Sequence, residues 1–380
     1  MERLLIIGNG MATARLLKEL VDGGCQFRVT VIGDEPRHAY NRILLSRLLS
    51  REIAGTDLQL LPESWLAEHN IEVITGVAVD EIDRNSKTAL LANGDTVQYD
   101  QLILATGARS IMPALPGMAG PHVHQFRTWQ DCEELESLGD QQKNVIVAGG
   151  GLLGIEAACG LAELGAQVTV VHSGQWPLNR QLDRAAGHLL AEALEHRGIR
   201  LMLGQRCASV LRDDDACLHG ATLEDGTVLH GDAIVFAIGI TPNDALARNA
   251  GLPVDHGICV DGHLRSEDKS IYALGECARV CGENVGLMEP VNLHAAILAG
   301  VLNGKDPDPW APTPTPTRLK VTGVEVFSSG VLDDDSAEEI AFSDPVSQTY
   351  RKLIIKGQKL IGAVLLGDTS DGNWYHQLII

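Results

Sequence analysis

Two glycine runs carry the most specific chemistry in this sequence. Gly8-Asn9-Gly10-Met11-Ala12-Thr13 and, 141 residues on, Gly149-Gly150-Gly151-Leu152-Leu153-Gly154 both approximate G-x-G-x-x-G. Glycine there lets backbone N–H groups approach a diphosphate, and a helix starting inside the run turns its positive dipole end toward the anion. Gly8, Gly10, Met11 and Ala12 form one expected cradle, and Gly149, Gly151 and Gly154 the other. Thr13 stands where the third glycine of the first run belongs, a residue small enough for helix and strand to pack closely. A ribose contact is expected about twenty residues further on. Asp34 and Glu35 offer a carboxylate there for the first cradle, unless they form a solvated acidic turn. The second has His172-Ser173-Gly174 instead. A carboxylate would repel a 2′-phosphate, so its absence leaves a phosphorylated coenzyme open. Arg180 and Arg184 could meet that phosphate or lie on a solvated helix face.

The elements that must position these runs repeat as well. Leu4–Gly8 reads as a buried strand, followed by a helical pattern through Leu16, Leu17 and Leu20 and a second strand at Phe27–Ile32. Val145–Ala148, a helix through Ile155, Ala158, Leu161 and Leu164, and Val168–Val171 repeat that order. Further echoes are Gly76 with Gly204, the turn at Asn93-Gly94-Asp95 with Asp225-Gly226-Thr227, and Ala105-Thr106-Gly107 with Ala237-Ile238-Gly239. Two related nucleotide-binding units in one chain is the reading.

Composition bounds the rest. With 45% apolar and 21% charged residues the chain is globular rather than disordered. A net charge of −20 argues against nucleic acid or an anionic membrane as partner. Met1–Gly8 is too short an apolar stretch for a secretory signal, and no run reaches membrane-span length. Eight scattered cysteines without a Cys-x-x-Cys predict reduced thiols in the cytoplasm and no metal site; Cys277 and Cys281 are the one close pair. Asp213–Asp215 and Asp333–Asp335 are read as solvated turns.

The runs Gly8–Thr13, Leu104–Arg109, Gly149–Gly154, Gly239-Ile240-Thr241-Pro242-Asn243 and Tyr272–Ala278 resemble the pyridine nucleotide-dependent flavoprotein oxidoreductases. Tyr40–Ser46, Thr317–Ser328 and Gly367–Tyr375 are similar, more narrowly, to the flavoprotein module of assimilatory NAD(P)H nitrite reductase large subunits, nitrate reductase electron-transfer subunits and NADH:rubredoxin reductases. The resemblance implies an α/β chain with two Rossmann-like dinucleotide-binding domains, the NAD domain inserted in the FAD domain, plus a small C-terminal α+β domain. It places the FAD domain at 1–112 and 241–306, the NAD(P)H domain at 113–240, a stiff Pro/Thr linker at 307–316 and an interface domain at 317–380.

The same resemblance assigns roles. FAD would be held by the first run with Arg42, Ala105, Thr106, Gly107, Gly275 and Glu276, the last in place of the family's usual Asp. NAD(P)H would be held by the second run with Gly239, and Glu156 would orient the nicotinamide carboxamide. Arg47 stands near where relatives place a lysine beside the flavin, and Glu289-Pro290-Val291 precedes an apolar helix, Asn292–Leu302, whose N-terminal end would point at the flavin pyrimidine. His122, His124 and Arg127 match an interdomain connection of relatives and are read as structural. No sirohaem cysteine set, redox disulfide or cysteine within Tyr40–Ser46 is present, which leaves outward electron transfer to a rubredoxin-like carrier or a nitrate or nitrite reductase component. Small acceptors such as oxygen or quinone, or a non-catalytic flavin-bound subunit, are the alternatives. The chain would act as a monomer or homodimer. Arg351, Lys352, Lys356 and Lys359 are the dense basic residues available to dock an acidic carrier.

Overall fold

A computed structural model describes residues 1–321, 324–344 and 346–380. Thr322 and Gly323, within the Thr317–Ser328 motif, lie outside the described residues. The elements that carry the argument run, in chain order, β1 (Arg3–Ile7), α1 (Met11–Asp22), β2 (Arg28–Ile32), α2 (Leu45–Leu49), β3 (Glu72–Ile74), β4 (Gln101–Leu104), β5 (Val123–Gln125) and β6 (Asn144–Ala148). Next come α3 (Leu152–Glu163), β7 (Gln167–His172), α4 (Arg184–Glu195), β8 (Arg200–Leu203), β9 (Ala233–Phe236), β10 (Ile271–Ala273) and α5 (Met288–Leu302). The last five strands are β11 (Thr317–Val321), β12 (Val324–Gly330), β13 (Glu338–Asp344), β14 (Thr349–Lys356) and β15 (Lys359–Leu366), closed by α6 (Gly372–Ile379).

The chain divides into two compact units. The first comprises residues 1–42, 55–109 and 240–312, and the second 43–54, 110–239 and 313–380. The first is built on a parallel sheet in the order β10-β4-β1-β2-β3. Strand order reverses at β1, so the crevice at its C-terminal end is where a doubly wound sheet binds ligand. Leu4, Leu5, Ile6 and Ile7 are buried because α1 covers one face of β1 with Leu16, Leu17 and Leu20.

The second unit repeats this plan. Its parallel sheet runs β8-β7-β6-β9-β5 with the reversal at β6. Each unit also carries a three-stranded antiparallel sheet, and the glycines of their tight turns, Gly94 and Gly226, sit at φ +90° and +86°. Gly76 and Gly204 match likewise, at +74° and +70°. The echoes in the sequence thus mark equivalent turns.

The C-terminal stretch forms an antiparallel sheet in the order β11-β12-β15-β14-β13. Gly357 and Gln358, both at positive φ, make the expected hairpin turn between β14 and β15. Phe327, Ala363, Leu365 and Tyr375 form its own small core under α6. The Pro/Thr stretch is not free along its length. Trp310 is buried in the first unit with its N–H bonded to Gly262 O at 2.9 Å, and its ring stands edge-on to His294 with centroids 4.8 Å apart. Among the described residues no helix is long and apolar enough to cross a membrane.

Candidate functional site

The first cradle is fixed by one close backbone approach. Gly8, at φ +112°, donates its N–H to Ile32 O at 2.7 Å, and a Cβ at this position would run into the Ala105 carbonyl. Ala105 N–H in turn bonds Ile7 O at 2.7 Å, so β1, β2 and β4 meet at this point. Gly10 caps α1 without a side chain, and a Cβ there would meet nothing within 4 Å. The first turn of α1 has no acidic residue and no capping side chain. Its orphan N–H donors therefore face an open, positively polarised space that suits a diphosphate.

Around this loop the other predicted FAD residues converge. Thr106 Oγ1 donates to Asn243 O at 2.6 Å, and Asn243 returns bonds from its Nδ2 to Thr106 O and from its N–H to Gly107 O, both at 2.9 Å. Asn243 is thus the clamp on this turn, a role the sequence motif contained without revealing. Gly275 has φ +82°, and a Cβ there would press on Ala12 at 3.0 Å. Glu35, half-buried after β2, accepts from the Tyr40 hydroxyl at 2.7 Å and pairs with Arg42, whereas Asp34 is exposed. Burial works against the Arg42 charge, but Tyr40, Glu35 and Glu276 outweigh it and raise its pKa. Arg42 therefore stands in the field of two of the acids predicted to contact FAD, Glu35 and Glu276. Glu289, Pro290 and Val291 lie inside the first turn of α5 rather than before it, because the helix opens at Met288.

The second cradle copies the first. Gly149, at φ +126°, bonds Val171 O at 2.8 Å, and a Cβ there would strike the Ala237 carbonyl, while Ala237 N–H bonds Ala148 O at 2.8 Å. Gly151 caps α3 over open space, and α3 likewise lacks an acidic first turn. Gly154 must be glycine because a Cβ would meet the Gly149 carbonyl. Gly239, at φ +127°, accepts from Ile111 N–H at 2.9 Å. Glu156 is half-buried on α3, and burial pushes its pKa up to about 7. At the end of β7, His172 Nδ1 accepts from Gly150 N–H at 3.2 Å and Nε2 lies 3.1 Å from Asn179 Oδ1. Burial lowers its pKa, which keeps the ring neutral in that pairing.

Other predicted residues lie in plainer surroundings. Arg47 on α2 is half-exposed with Nε 3.0 Å from Glu52. Arg180 and Arg184 are exposed. The basic set of the C-terminal domain is a correction: Lys359 is exposed, but the other three are held in ion pairs. Lys352 is buried against Glu339 at 2.7 Å, Arg351 pairs with Asp371 at 2.9 Å and Lys356 with Asp334 at 2.8 Å. Strand alternation turns Lys352 inward, away from its neighbour Arg351. His122 and His124 border an open cleft of about 430 Å³ with Glu134 and Asp232, and among the described residues no group of three could hold a metal ion.

Comparison with known proteins agrees with this geometry. The sequence profile described as pyridine nucleotide-disulphide oxidoreductase matches residues 2–300, and that of the rubredoxin NAD+ reductase C-terminal domain matches 316–380. The chain is 37% identical to the NAD(P)H nitrite reductase of Bacillus subtilis, over 100% of this chain and 47% of that protein. It is 34% identical to the assimilatory nitrate reductase electron transfer subunit of the same organism, over 97% of this chain and 48% of that one. The chain thus spans about half the length of these curated relatives. Among solved structures, the ferredoxin reductase for the CYP199A2 system from Rhodopseudomonas palustris superposes with a TM-score of 0.88 at 28% identity, covering 98% of this chain and 92% of that one. By its paired glycine cradles and these matches, the chain belongs to the pyridine nucleotide-disulphide oxidoreductase family, enzymes that bind FAD and use NAD(P)H.

Proposed function

We propose that this chain moves electrons from NAD(P)H through bound FAD to a protein acceptor, either a nitrate or nitrite reductase component or a rubredoxin-like carrier. The observation that carries the reading is the duplicated cradle, with Gly8 against Ala105 and Gly149 against Ala237, each opening on an uncapped helix start. When bound, FAD accepts hydride from the nicotinamide and releases electrons to the acceptor.

The residues divide the work of binding and orientation. Backbone amides of Gly10, Met11 and Ala12 take the FAD diphosphate, Asp34 or Glu35 the ribose, and Arg42 adds positive charge held in place by Glu35. Ala105, Thr106 and Gly107, stapled by Asn243, shape the wall of that site, and Gly275 with Glu276 closes it. The first turn of α5, at Glu289-Pro290-Val291, would offer its positive end to the flavin pyrimidine. Amides around Gly149, Gly151 and Gly154 take the NAD(P)H diphosphate, Gly239 leaves room for the coenzyme, and Glu156 orients the carboxamide. Arg47, paired with Glu52, would be the cation available to the flavin. Segments 1–112 and 241–306 serve FAD, 113–240 serves NAD(P)H, 307–316 links, and 317–380 meets the acceptor. Eight free thiols fit work in the cytoplasm.

Anaerobic addition of NADH or NADPH to the FAD-loaded chain tests this directly. Bleaching of the long-wavelength flavin band, followed by reoxidation faster with a rubredoxin-like carrier than with oxygen or quinone, is expected. A flavin that stays oxidised overturns the reading in favour of a non-catalytic subunit.

A further inference from the structure

The loop between β7 and α4 is held at both ends. At its start His172 accepts from Gly150 N–H in the second glycine run, and Leu178 N–H bonds Gly150 O at 2.8 Å. Within it, the Trp176 indole N–H reaches Leu182 O at 3.0 Å. At its end Asp183 caps α4, with Oδ1 accepting from Ala186 N–H at 3.2 Å.

The other oxygen of Asp183 points out of the loop and into the C-terminal domain. Oδ2 accepts from the Tyr350 hydroxyl at 2.7 Å and lies 3.6 Å from Lys352 Nζ. Tyr350 and Lys352, two residues apart on β14, share one sheet face with the buried Ile354. The Lys352 side chain is 6% exposed and that of Asp183 13%, so this is a desolvated ionic contact rather than a surface pair. Glu339 at 2.7 Å and Asp333 at 4.0 Å complete an acidic surround for the one lysine. A buried cation persists only when partnered, and removing one partner of such a pair leaves the other uncompensated.

We infer that Asp183, gripped by Tyr350 and Lys352, is a positioning residue for the coenzyme, so that the C-terminal domain sets the loop on which the adenosine end of NAD(P)H rests. The inference rests on the reading that the second glycine run binds NAD(P)H. An unbroken path carries it: glycine run, His172 and Leu178, the loop, Asp183, and the Tyr350–Lys352 face. Coenzyme binding and seating of the C-terminal domain then share free energy, and the linkage works in both directions.

The test uses the FAD-loaded chain and calorimetric binding of ADP-ribose, which has the adenosine diphosphate portion but no nicotinamide. Tyr350→Phe removes one oxygen, Lys352→Met removes the cation, and Asp183→Ser keeps a capping oxygen while losing the reach to β14. All three are expected to weaken ADP-ribose binding by about fivefold or more, to raise KM for the coenzyme with kcat nearly unchanged, and to speed amide exchange across residues 173–183. Unchanged binding in Tyr350→Phe and Asp183→Ser, with a wild-type chain that does bind, overturns the inference alone. A wild-type chain that binds neither ADP-ribose nor 2′-phospho-ADP-ribose overturns the coenzyme reading with it.

Discussion

The Thr13 hydroxyl donates a 2.6 Å hydrogen bond to the carbonyl of Gly8. Thr13 is fully buried, so a side chain at the position where the motif asks for glycine fastens the glycine loop to the helix it opens. Its extra atoms make a contact that a third glycine could not. Thr13→Val keeps the shape and removes the donor. It is expected to cost about 1 kcal/mol of stability and to lower flavin retention after gel filtration, read as the flavin-to-protein absorbance ratio.

Gly8 and Gly149 both combine positive φ with a carbonyl where a Cβ would sit. Gly8→Ala is expected to yield colourless protein destabilised by about 1–3 kcal/mol. Gly149→Ala should retain FAD yet fail to be reduced by NADH or NADPH. Spectra of the two purified variants check this, and equal flavin loss in both would contradict separate roles for the cradles.

Glu156 titrates at about 7, above its ordinary 4.5, because burial disfavours the charged form. The folded chain therefore holds a proton that the unfolded chain has lost in that interval. The stability associated with this carboxyl is complete below 4.5 and declines as pH rises through about 7, by at most about 3 kcal/mol. Glu156→Gln should flatten that decline in urea midpoints measured across the interval.

His294 presents the opposite sign. It is fully buried, neither ring nitrogen has a hydrogen-bond partner among the described residues, and burial lowers its pKa to about 4. Its folded value lies below the ordinary 6.5, so stability is present above 6.5 and is lost as pH falls through about 4. His294→Leu should raise stability by about 1 kcal/mol or more and reduce acid sensitivity, read as thermal midpoints at neutral and acidic pH.

Lys356, half-exposed, pairs at 2.8 Å with the partly buried Asp334. Lys356→Glu is expected to change stability by less than about 1 kcal/mol and to leave the rate of carrier reduction unaltered. A marked fall in that rate at low salt would restore the basic docking surface.

The parallel-sheet cores and both glycine runs were legible because their signals are local: a buried strand, a glycine turn and an amphipathic helix succeed one another within thirty residues. The repeated turns at Gly94 and Gly226 strengthened that reading for the same reason. Asn243 is harder to read. Its role depends on which loops meet, since its partner Thr106 lies 137 positions away. Lys352 is not the surface charge its basic neighbours suggest: period-two alternation puts it on the same face as Tyr350 and Ile354, an inward row. Asp183, one of its counter-ions, belongs to a distant stretch of the chain, and nothing local announces the pairing. Trp310 hid in a proline-rich stretch whose composition suggests a spacer, but one large aromatic ring was enough to pin it.

Since Ala105 and Ala237 close their respective turns in the same manner, the loops themselves offer no means of telling one dinucleotide from another. Selectivity is then expected from the residues at the end of each second strand, a pair of acids after β2 and the His172 imidazole closing β7. ADP alone, which has neither a flavin nor a nicotinamide, would carry no address, and would act as a shared competitor for both sites.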